Sequence, residues 1–365
     1  MEPLIASLPW AALCVWALLR LVPSPRLGAF PARGFGSGSP TVTVVVPTLN
    51  AGHDIGPCLG TLLAARYPNL EIIVADQSSS DGTLEVARAV AERSHRVRVL
   101  GVGTPREGWR SRAWACREGA RAGAGELLLF SDPDTRHHPE ALARAVAALE
   151  EGEAAALSLL PRHELETLLE RVLAPALLAR GELAYLNARL VNRVRDARSV
   201  LVNPGFLLVR RAAYLNAGGH EAARADATAD TSVARRVLEG GGVVRLLHGE
   251  RFLSSRAFGA RRERKPGPVG ALAAGARTAR RSSGPVGSWL GSALTLALWV
   301  IPPLALALAW GGAVGRWGLY ATGLSLLFWV LTYARHAQPI LFALTYPVGA
   351  LATAALEARA NPDPT

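Results

Sequence analysis

Short apolar runs alternate with longer segments of helical periodicity from residue 41 onward. Four runs predict strands, namely TVTVVVP (41–47), LEIIVA (70–75), VRVLGV (97–102) and ELLLF (126–130). The segments between them predict helices over 52–66, 82–93 and 110–123. Because the strand runs do not alternate strictly, we expect a sheet that is covered on both faces. This order predicts an α/β domain over residues 41–250, with a mainly parallel sheet and right-handed crossovers.

Later segments extend this domain. NPGFLLVRR (203–211) predicts a further strand, and 229–239 predicts a helix with a basic face. Residues 163–195 form a long helical pattern. Its apolar side chains suit either the membrane interface or packing on the sheet, and the sequence leaves both alternatives open.

The N-terminal end of the chain is apolar. Residues 4–19 carry no charge, a length near the lower limit for a membrane-spanning helix. We interpret residues 1–23 as a retained transmembrane anchor. A signal peptide is the alternative, but the Met-Glu start lacks its positive charge and no small-residue cleavage site follows. Residues 24–40, rich in proline and glycine, predict a linker.

The C-terminal region contains three uncharged stretches, at 289–310, 318–334 and 337–356. They predict three transmembrane helices within residues 286–357, and a buried bundle of apolar helices is the alternative. A basic juxtamembrane segment, 251–285, precedes them. The positive-inside rule places this segment and the α/β domain on the cytoplasmic side of a multi-pass protein of the cell (inner) membrane.

Composition agrees with a membrane location. Half of the 365 residues are hydrophobic, mean hydropathy is +0.20 and the formal net charge is +11. Much of the positive charge lies beside the apolar region, and no nucleic-acid-binding motif accompanies it. We therefore expect a membrane surface, and no nucleic acid, as its partner. The three cysteines match no metal-binding spacing.

Candidate chemistry begins where the fourth predicted strand ends, in FSDPDT. Asp132 and Asp134 form a D-x-D pair there, and their carboxylate oxygens are hard ligands for a divalent cation such as Mg²⁺ or Mn²⁺. A cation in that place neutralises a diphosphate, which suggests a nucleotide-diphosphate substrate. The alternative is an ordinary polar turn, since Ser, Asp and Pro are common turn residues.

Two other predicted strands also end in polar residues. The first ends in the sequence from Pro47 to Asn50, and the second ends in Asp76, which Asp81 follows. Because ligands of open parallel sheets bind at the carboxyl ends of the strands, we expect these residues on the same rim as Asp132. Asp76 can accept hydrogen bonds from a base or a ribose. For both of these aspartates the alternative is capping of the helix that begins near Asp81.

Three charged residues complete the candidate set. Arg110 and Arg112 precede a predicted helix, where they can bind phosphates together with the helix amides; a solvated basic face is the alternative. Asp230 lies four residues after Asp226, on the same helix face, and can act as a general base toward an acceptor hydroxyl. The alternative for Asp230 is a helix N-cap.

Six segments, in this order, resemble GT-A-fold glycosyltransferases of family 2: VVVPTLN, ADQSSSDGT, GWRSRAWACREGA, FSDPDT, NPGFLLVRRAAYLNAGGHE and ADTSVARR. The resemblance covers residues 41–250 and is to the membrane-anchored, lipid-modifying branch that is associated with carotenoid and hopanoid pathways. It implies a nucleotide site lined by a set of five residues, Pro47, Asn50, Asp76, Asp81 and Asp132.

The same resemblance implies that Asp132 and Asp134 hold Mg²⁺ or Mn²⁺ and that Asp230 is the catalytic base. Ala229 stands where the family usually has a glutamate. The implied reaction is an inverting transfer of a single sugar from a nucleotide-diphosphate sugar, with UDP-sugars expected first. The implied acceptor is a hydroxyl or carboxyl group of a lipid or polyprenyl-type molecule.

Two other functions stay open at this point. A nucleotidyltransferase on a similar sheet would release pyrophosphate in place of a nucleoside diphosphate. A non-catalytic membrane scaffold with a degenerate transferase domain would carry out neither reaction. The acceptor-site motif of processive polysaccharide synthases, Gln/Arg-x-x-Arg-Trp, is missing from the sequence, which favours transfer of one sugar only.

Overall fold

The computed structural model describes residues 2–21, 25–32, 36, 38–184, 192, 197, 200, 202–256, 289–336 and 338–359. The chain divides into two compact units. The sheet unit contains Ser24–Arg162 and Tyr185–Arg256. The helical unit contains Met1–Pro23, His163–Ala184 and Ala257–Thr365.

The described strands are β1 (Val42–Thr48), β2 (Leu70–Asp76), β3 (Val97–Gly101), β4 (Leu127–Phe130), β5 (Thr135–His137), β6 (Ala156–Leu160), β7 (Arg162–His163), β8 (Leu207–Arg210), β9 (Val244–His248) and β10 (Leu253–Ser255). The described α-helices are α1 (Glu2–Ile5), α2 (Leu8–Leu21), α3 (Gly52–Leu63), α4 (Thr83–Ala91), α5 (Ser111–Ala122), α6 (Ala141–Glu151), α7 (Leu168–Ala184), α8 (Arg211–Asn216), α9 (Gly219–Ala222), α10 (Ala229–Glu239), α11 (Trp289–Trp299), α12 (Ile301–Leu308), α13 (Ala313–Arg335) and α14 (Tyr346–Arg359). Two 3₁₀ segments cover Leu27–Ala29 and Ile340–Thr345.

The main sheet has the strand order β3-β2-β1-β4-β8-β6-β9. Strands β3, β2, β1 and β4 are parallel to one another, and β6 is parallel to β9. Strand β8 runs antiparallel to both of its neighbours, β4 and β6. The predicted α/β domain with a mainly parallel sheet is therefore confirmed. The strand predicted over 203–211 exists as β8, and its direction is the exception in an otherwise parallel arrangement.

Both faces of the sheet are buried, as the apolar runs predicted. Every residue of β1 is buried, and its alternate side chains enter two different cores. Val44 packs on one face and Val45 on the other. On the Val45 face, α5 approaches so closely that a Cβ added at Gly119 would lie 2.4 Å from Val45 Cγ1. The start of α5 is thereby held over the carboxyl end of β1.

The ends of neighbouring strands meet at one rim. Thr48, the last residue of β1, is in register with Asp76, the last residue of β2. On the other side of β1, Phe130 at the end of β4 is paired with Val45. The loops that follow these three strands therefore leave the sheet at the same edge, which is where ligands of parallel sheets bind.

In the helical unit, fewer helices can span a membrane than the sequence predicted. Within the described residues, Ala313–Ala334 is long and apolar enough to cross a bilayer. Trp289–Trp299 and Ile301–Leu308, which are bent by 40° at their junction, would count as a second span if they act together. Ile340–Ala355 is a shorter apolar helix. The three C-terminal spans that the sequence predicted are therefore reduced to one or two. Bends and non-helical residues interrupt the helices within stretches that carry no charge.

The N-terminal anchor expected over residues 1–23 is not supported. The chain there forms α1 and α2, and α2 contains 14 residues, whereas a span needs about 20. Its side chains pack within the helical unit: Trp10 Nε1 donates a hydrogen bond of 2.7 Å to the carbonyl of Leu298, and the Trp10 ring meets Trp317 edge-on. Trp10 and Cys14 thus belong to the core of that unit.

Helix α7 answers part of the question that the sequence left open for 163–195. The Tyr333 hydroxyl of α13 donates a hydrogen bond of 3.0 Å to the carbonyl of Arg171, and both residues belong to the helical unit. This described part thus packs with the C-terminal helices of the same unit. Most of 185–195, parts of the linker at 24–40 and positions 257–285 of the basic segment lie outside the described residues.

Candidate active site

The loop after β2 is organised around the carboxylate of Asp76. Asp76 is buried, and its Oδ1 accepts hydrogen bonds from Thr48 Oγ1 at 3.0 Å and from Ser79 Oγ at 2.5 Å. Its Oδ2 accepts the Ser79 backbone N–H at 3.0 Å. Asp76 therefore joins the ends of β1 and β2, and it does not cap α4 as the sequence alternative proposed.

Asn50 and Asp81 connect the same two loops. Asn50 has a positive φ of 52°, and its Oδ1 accepts the Ser80 backbone N–H at 2.9 Å. Asp81 accepts hydrogen bonds from the backbone N–H groups of Gly52 at 3.0 Å and Thr83 at 3.2 Å. Although partial burial would raise the pKa of Asp81, these bonds and that of the Thr83 hydroxyl lower it. Since Thr83 begins α4, the capping role that the sequence left open for Asp81 fits this geometry.

Pro47 lies inside β1, where it is in register with Ala75 of the parallel strand β2. A proline has no backbone N–H and cannot donate a hydrogen bond to a neighbouring strand. It is therefore tolerated in a central strand only at a position where the sheet does not need that hydrogen bond. Pro47 precedes the strand end by one residue, and it stays close to Thr48 and Asp76 by register.

The D-x-D pair lies in the turn between β4 and β5. The Asp132 side chain is 25% exposed, whereas Asp134 is buried. The turn is held by its own backbone, since Thr135 N donates a hydrogen bond of 3.1 Å to the Asp132 carbonyl. Behind it, Ser131 Oγ and His137 Nε2 lie 2.8 Å apart in a buried pair. The segment is thus an ordered polar turn that carries one partly exposed carboxylate, Asp132, and one buried carboxylate, Asp134.

Arg112 links the D-x-D turn to a carboxylate on another element. Its Nη1 donates to Asp132 Oδ1, and its Nε donates to Asp230 Oδ2 at 2.6 Å. Nη2 contacts Asp230 Oδ1 at 3.3 Å and the Pro204 carbonyl at 2.7 Å. We call this arrangement the Arg112 bridge. Coulombic attraction to Asp132 and Asp230 outweighs burial and raises the pKa of Arg112 well above its ordinary value.

Asp230 lies in the first turn of α10, after the N-cap Thr228, so the N-cap alternative is wrong. Its side chain is 5% exposed. Burial alone would raise the pKa of this carboxyl group, but the Arg112 guanidinium and His220 lower it well below its usual range. Asp230 is consequently an ionised carboxylate in a nearly dry position.

Two other predicted residues do not join the bridge. Arg110 is exposed, and its Nε donates a hydrogen bond of 3.3 Å to the Ala225 carbonyl. Asp226 is exposed and lies before α10, not on its first turn. Of the two arginines proposed for phosphates, only Arg112 lies between the candidate metal site and the candidate base.

Sequence reasoning missed the group that surrounds Asp230 on its other side. His220 is fully buried, and its Nε2 lies 3.5 Å from Asp230 Oδ1. The Tyr214 hydroxyl lies 3.1 Å from His220 Nδ1, and the ring of Phe130 meets the imidazole edge-on at 4.6 Å. Tyr214 and His220 both occur in the segment NPGFLLVRRAAYLNAGGHE. The available signal there was a tyrosine and a histidine that follows two glycines.

Cys116, His220 and Asp230 have donor atoms within 4.8 Å of one another, which makes them a possible metal group. Two facts weigh against that interpretation. Burial raises the pKa of the Cys116 thiol well above its ordinary value, and a metal would need the thiolate. The Arg112 cation already binds both oxygens of Asp230. The two carboxylates of Asp132 and Asp134, which offer oxygen ligands only, suit a hard divalent cation better.

The chain is similar to several known proteins. Residues 43–215 match the family described as "Glycosyl transferase family 2". Glycosyltransferase AglE of Haloferax volcanii is 30% identical over 113 residues, which are 30% of this chain and 36% of that protein. Dolichol-phosphate mannosyltransferase of Mycosarcoma maydis is 30% identical over 120 residues, which are 31% of this chain and 40% of that protein. The chain therefore matches well under two thirds of the length of these curated relatives.

Among solved structures, the mannosyltransferase PcManGT from Pyrobaculum calidifontis in complex with GDP-Man and Mn²⁺ is 18% identical to this chain. The likeness covers 98% of this chain and 95% of that one, with a TM-score of 0.50. At this identity the likeness establishes the fold alone, which is the GT-A fold.

The narrower resemblance to carotenoid-associated enzymes is weak. The 4,4'-diaponeurosporenoate glycosyltransferase of Staphylococcus haemolyticus is 26% identical over 118 residues, which are 32% of this chain and 30% of that protein. It is a distant and partial relative, so the branch suggested by the sequence is not established. The match over residues 43–215 is to glycosyltransferase family 2 as a whole.

Proposed function

We propose that this chain is an inverting glycosyltransferase that transfers one sugar from a nucleotide-diphosphate sugar to a hydroxyl or carboxyl group of a membrane lipid. The observation that carries the proposal is the Arg112 bridge. It brings a D-x-D carboxylate and a buried, ionised carboxylate from separate elements to one guanidinium. A donor-side and an acceptor-side group are then close enough to act on one bond.

On the donor side, Asp132 and Asp134 would hold Mg²⁺ or Mn²⁺. Their hard oxygens fit such an ion, which would take the place of the Arg112 guanidinium on Asp132 or share that carboxylate with it. A bound divalent metal would supply charge stabilisation for the departing diphosphate. The similar mannosyltransferase PcManGT was solved in complex with GDP-Man and Mn²⁺. We propose that the nucleotide lies against the β1 and β2 loops, near the residues Pro47, Asn50, Asp76 and Asp81.

On the acceptor side, Asp230 would accept the proton of the acceptor hydroxyl as its oxygen attacks the anomeric carbon. The new carbon–oxygen bond forms on one face while the bond to the diphosphate breaks on the other, and the nucleoside diphosphate leaves with the electron pair. A single base with no partnered nucleophile favours this inverting route. Arg112 keeps Asp230 ionised before substrates bind, and the leaving diphosphate would give its guanidinium a third anionic partner beside Asp132 and Asp230.

The described surface of the helical unit supports a lipid acceptor and a membrane location. Its described surface exposes large apolar side chains, among them Leu308 at 84% and Trp310 at 79%. Exposed apolar surface of this kind marks a membrane or partner site. A relative is, by name, a dolichol-phosphate mannosyltransferase. We therefore propose a lipid or polyprenyl-type acceptor. We further propose that the C-terminal helices attach the protein to the cell membrane in a multi-pass arrangement and that the sheet unit is cytoplasmic. UDP-sugars are the first donors to test.

The proposal can be tested by the products. The full chain, purified in detergent, is incubated with UDP-glucose or GDP-mannose, with Mn²⁺ or with a chelator, and with or without a total lipid extract. We expect Mn²⁺-dependent release of a nucleoside diphosphate and movement of radiolabelled sugar into the lipid phase. Release of pyrophosphate would support the nucleotidyltransferase alternative. If no nucleotide sugar raises the melting temperature of the protein, with or without Mn²⁺, the result would support the non-catalytic scaffold.

A further inference from the structure

The two oxygens of the Asp230 carboxylate have different surroundings. Oδ2 accepts one hydrogen bond, from Arg112 Nε at 2.6 Å. Oδ1 contacts Arg112 Nη2 at 3.3 Å and faces His220 Nε2 at 3.5 Å. Each carboxylate oxygen offers two lone pairs. Among the described residues, Oδ1 thus has one hydrogen bond and a second nitrogen that faces it, whereas Oδ2 has one hydrogen bond.

The hydrogen-bond network assigns the imidazole proton of His220 to Nε2. The backbone N–H of His220 donates to the Tyr214 hydroxyl at 3.1 Å, so that oxygen is an acceptor there. Its own proton is then available for His220 Nδ1, also 3.1 Å away. With Nδ1 as acceptor, the neutral ring carries its proton on Nε2, which points toward Asp230.

His220 is also fixed mechanically. It follows two glycines with positive φ angles of 74° and 52°, and a Cβ added at Gly219 would lie 2.6 Å from Tyr214 Cζ. The Phe130 ring packs edge-on against the imidazole, with the two ring centroids 4.6 Å apart. Buried Nε2 has no hydrogen bond of ordinary length within the described residues, which is uncommon for a buried polar atom. A buried donor aimed at a carboxylate from 3.5 Å is a contact that can shorten when substrates bind.

We propose that His220 is a positioning residue for Asp230, which binds Oδ1 through Nε2–H and leaves Oδ2 to take the acceptor proton. This inference rests on the proposed function. When the diphosphate draws Arg112 away, His220 keeps one oxygen of the base bonded and holds the carboxylate plane in place. Tyr214 in turn holds the ring in the tautomer that donates.

The test compares two replacements of the same residue. His220→Leu removes the donor at similar bulk, and His220→Gln restores an N–H donor near the position of Nε2. The assay measures nucleoside diphosphate release from the donor that the wild type uses, with Mn²⁺ and a total lipid extract. We expect His220→Leu to lower kcat about 10- to 100-fold, a fraction of what a general base contributes. The KM for the donor and the donor-induced rise in melting temperature should stay within about twofold, since His220 does not touch the donor side.

His220→Gln should recover kcat to within about threefold of the wild type. Tyr214→Phe, which leaves the ring but removes its hydrogen-bond partner, should fall between the two His220 variants. Wild-type kcat in His220→Leu would overturn the inference. So would equal loss in the leucine and glutamine variants, or loss of donor binding in both, because either result indicates a purely structural role. A wild type that turns over no nucleotide sugar contradicts the proposed function itself, before any variant is compared.

Discussion

Replacing Arg112 by methionine removes the cation that links Asp132 to Asp230 while keeping a side chain of similar reach. The Asp230 side chain is 5% exposed, so its charge would lose its main partner in a nearly dry position. Breaking a buried ion pair by removing one partner costs about 3–5 kcal/mol. The Arg112 side chain is itself 27% exposed, so solvent screens part of the attraction. We therefore expect the free energy of unfolding to fall by about 2–3 kcal/mol.

The matched control is Arg110→Met, two positions earlier, at the residue that immediately precedes α5. Arg110 is exposed and its side chain bonds only a backbone carbonyl among the described residues. A surface change of this kind alters stability by less than about 0.5 kcal/mol. Urea unfolding of both variants in detergent, without nucleotide or added metal, measures the difference. A loss of 2–3 kcal/mol corresponds to a fall in melting temperature of about 4–12 °C for a domain of this size.

The reasoning is refuted if the two methionine variants unfold with the same free energy, because Arg112 would then not be paired in the free protein. Arg112→Lys provides a graded case. Lysine keeps the charge but cannot bind two carboxylates through a planar fork, so we expect a loss between those of the two methionine variants.

Two further predictions concern the neighbouring carboxylates and the buried histidine of the D-x-D turn. Asp134→Asn, which has the same shape without the charge, should abolish the Mn²⁺-dependent part of donor binding; unchanged Mn²⁺ dependence in a thermal-shift titration would contradict the metal assignment. Burial, and secondly Arg136, lower the pKa of His137 to about 3, whereas the unfolded chain has an ordinary value of about 6.5. The unfolded state thus binds more protons, and stability should fall by up to about 1.4 kcal/mol per pH unit as pH drops from 6.5 toward 3. His137→Gln should flatten that slope in urea unfolding between pH 7 and pH 5, and an unchanged slope would exclude His137 as its source.

The sheet and its functional rim were predictable because they depend on local patterns. Apolar runs as long as that of β1 identify buried strands, and the polar residues that follow them must leave at the strand ends. The direction of β8 was not predictable, because the period of a strand is the same in parallel and antiparallel pairing. The sequence pattern shows where a strand lies but not which way it runs.

The residues that contact the candidate base could not be predicted from the sequence, for a different reason. Arg112 and Asp230 are 118 positions apart, and their contact exists only because α5 and α10 start at the same side of the sheet. His220 was quoted in a motif but given no role, since an isolated histidine does not reveal what it faces. The membrane prediction erred because absence of charge measures composition, whereas a span also requires an unbroken helix of sufficient length.

Donor turnover by Asp230→Asn tests the central claim most directly, because asparagine preserves the shape of the base and removes its ability to take a proton. With the donor that the wild type uses, Mn²⁺ and a lipid extract, we predict that kcat falls at least about 100-fold. The donor-induced rise in melting temperature should remain, since Asp132 and Asp134 are intact. Sugar transfer by Asp230→Asn at the wild-type rate would contradict the account.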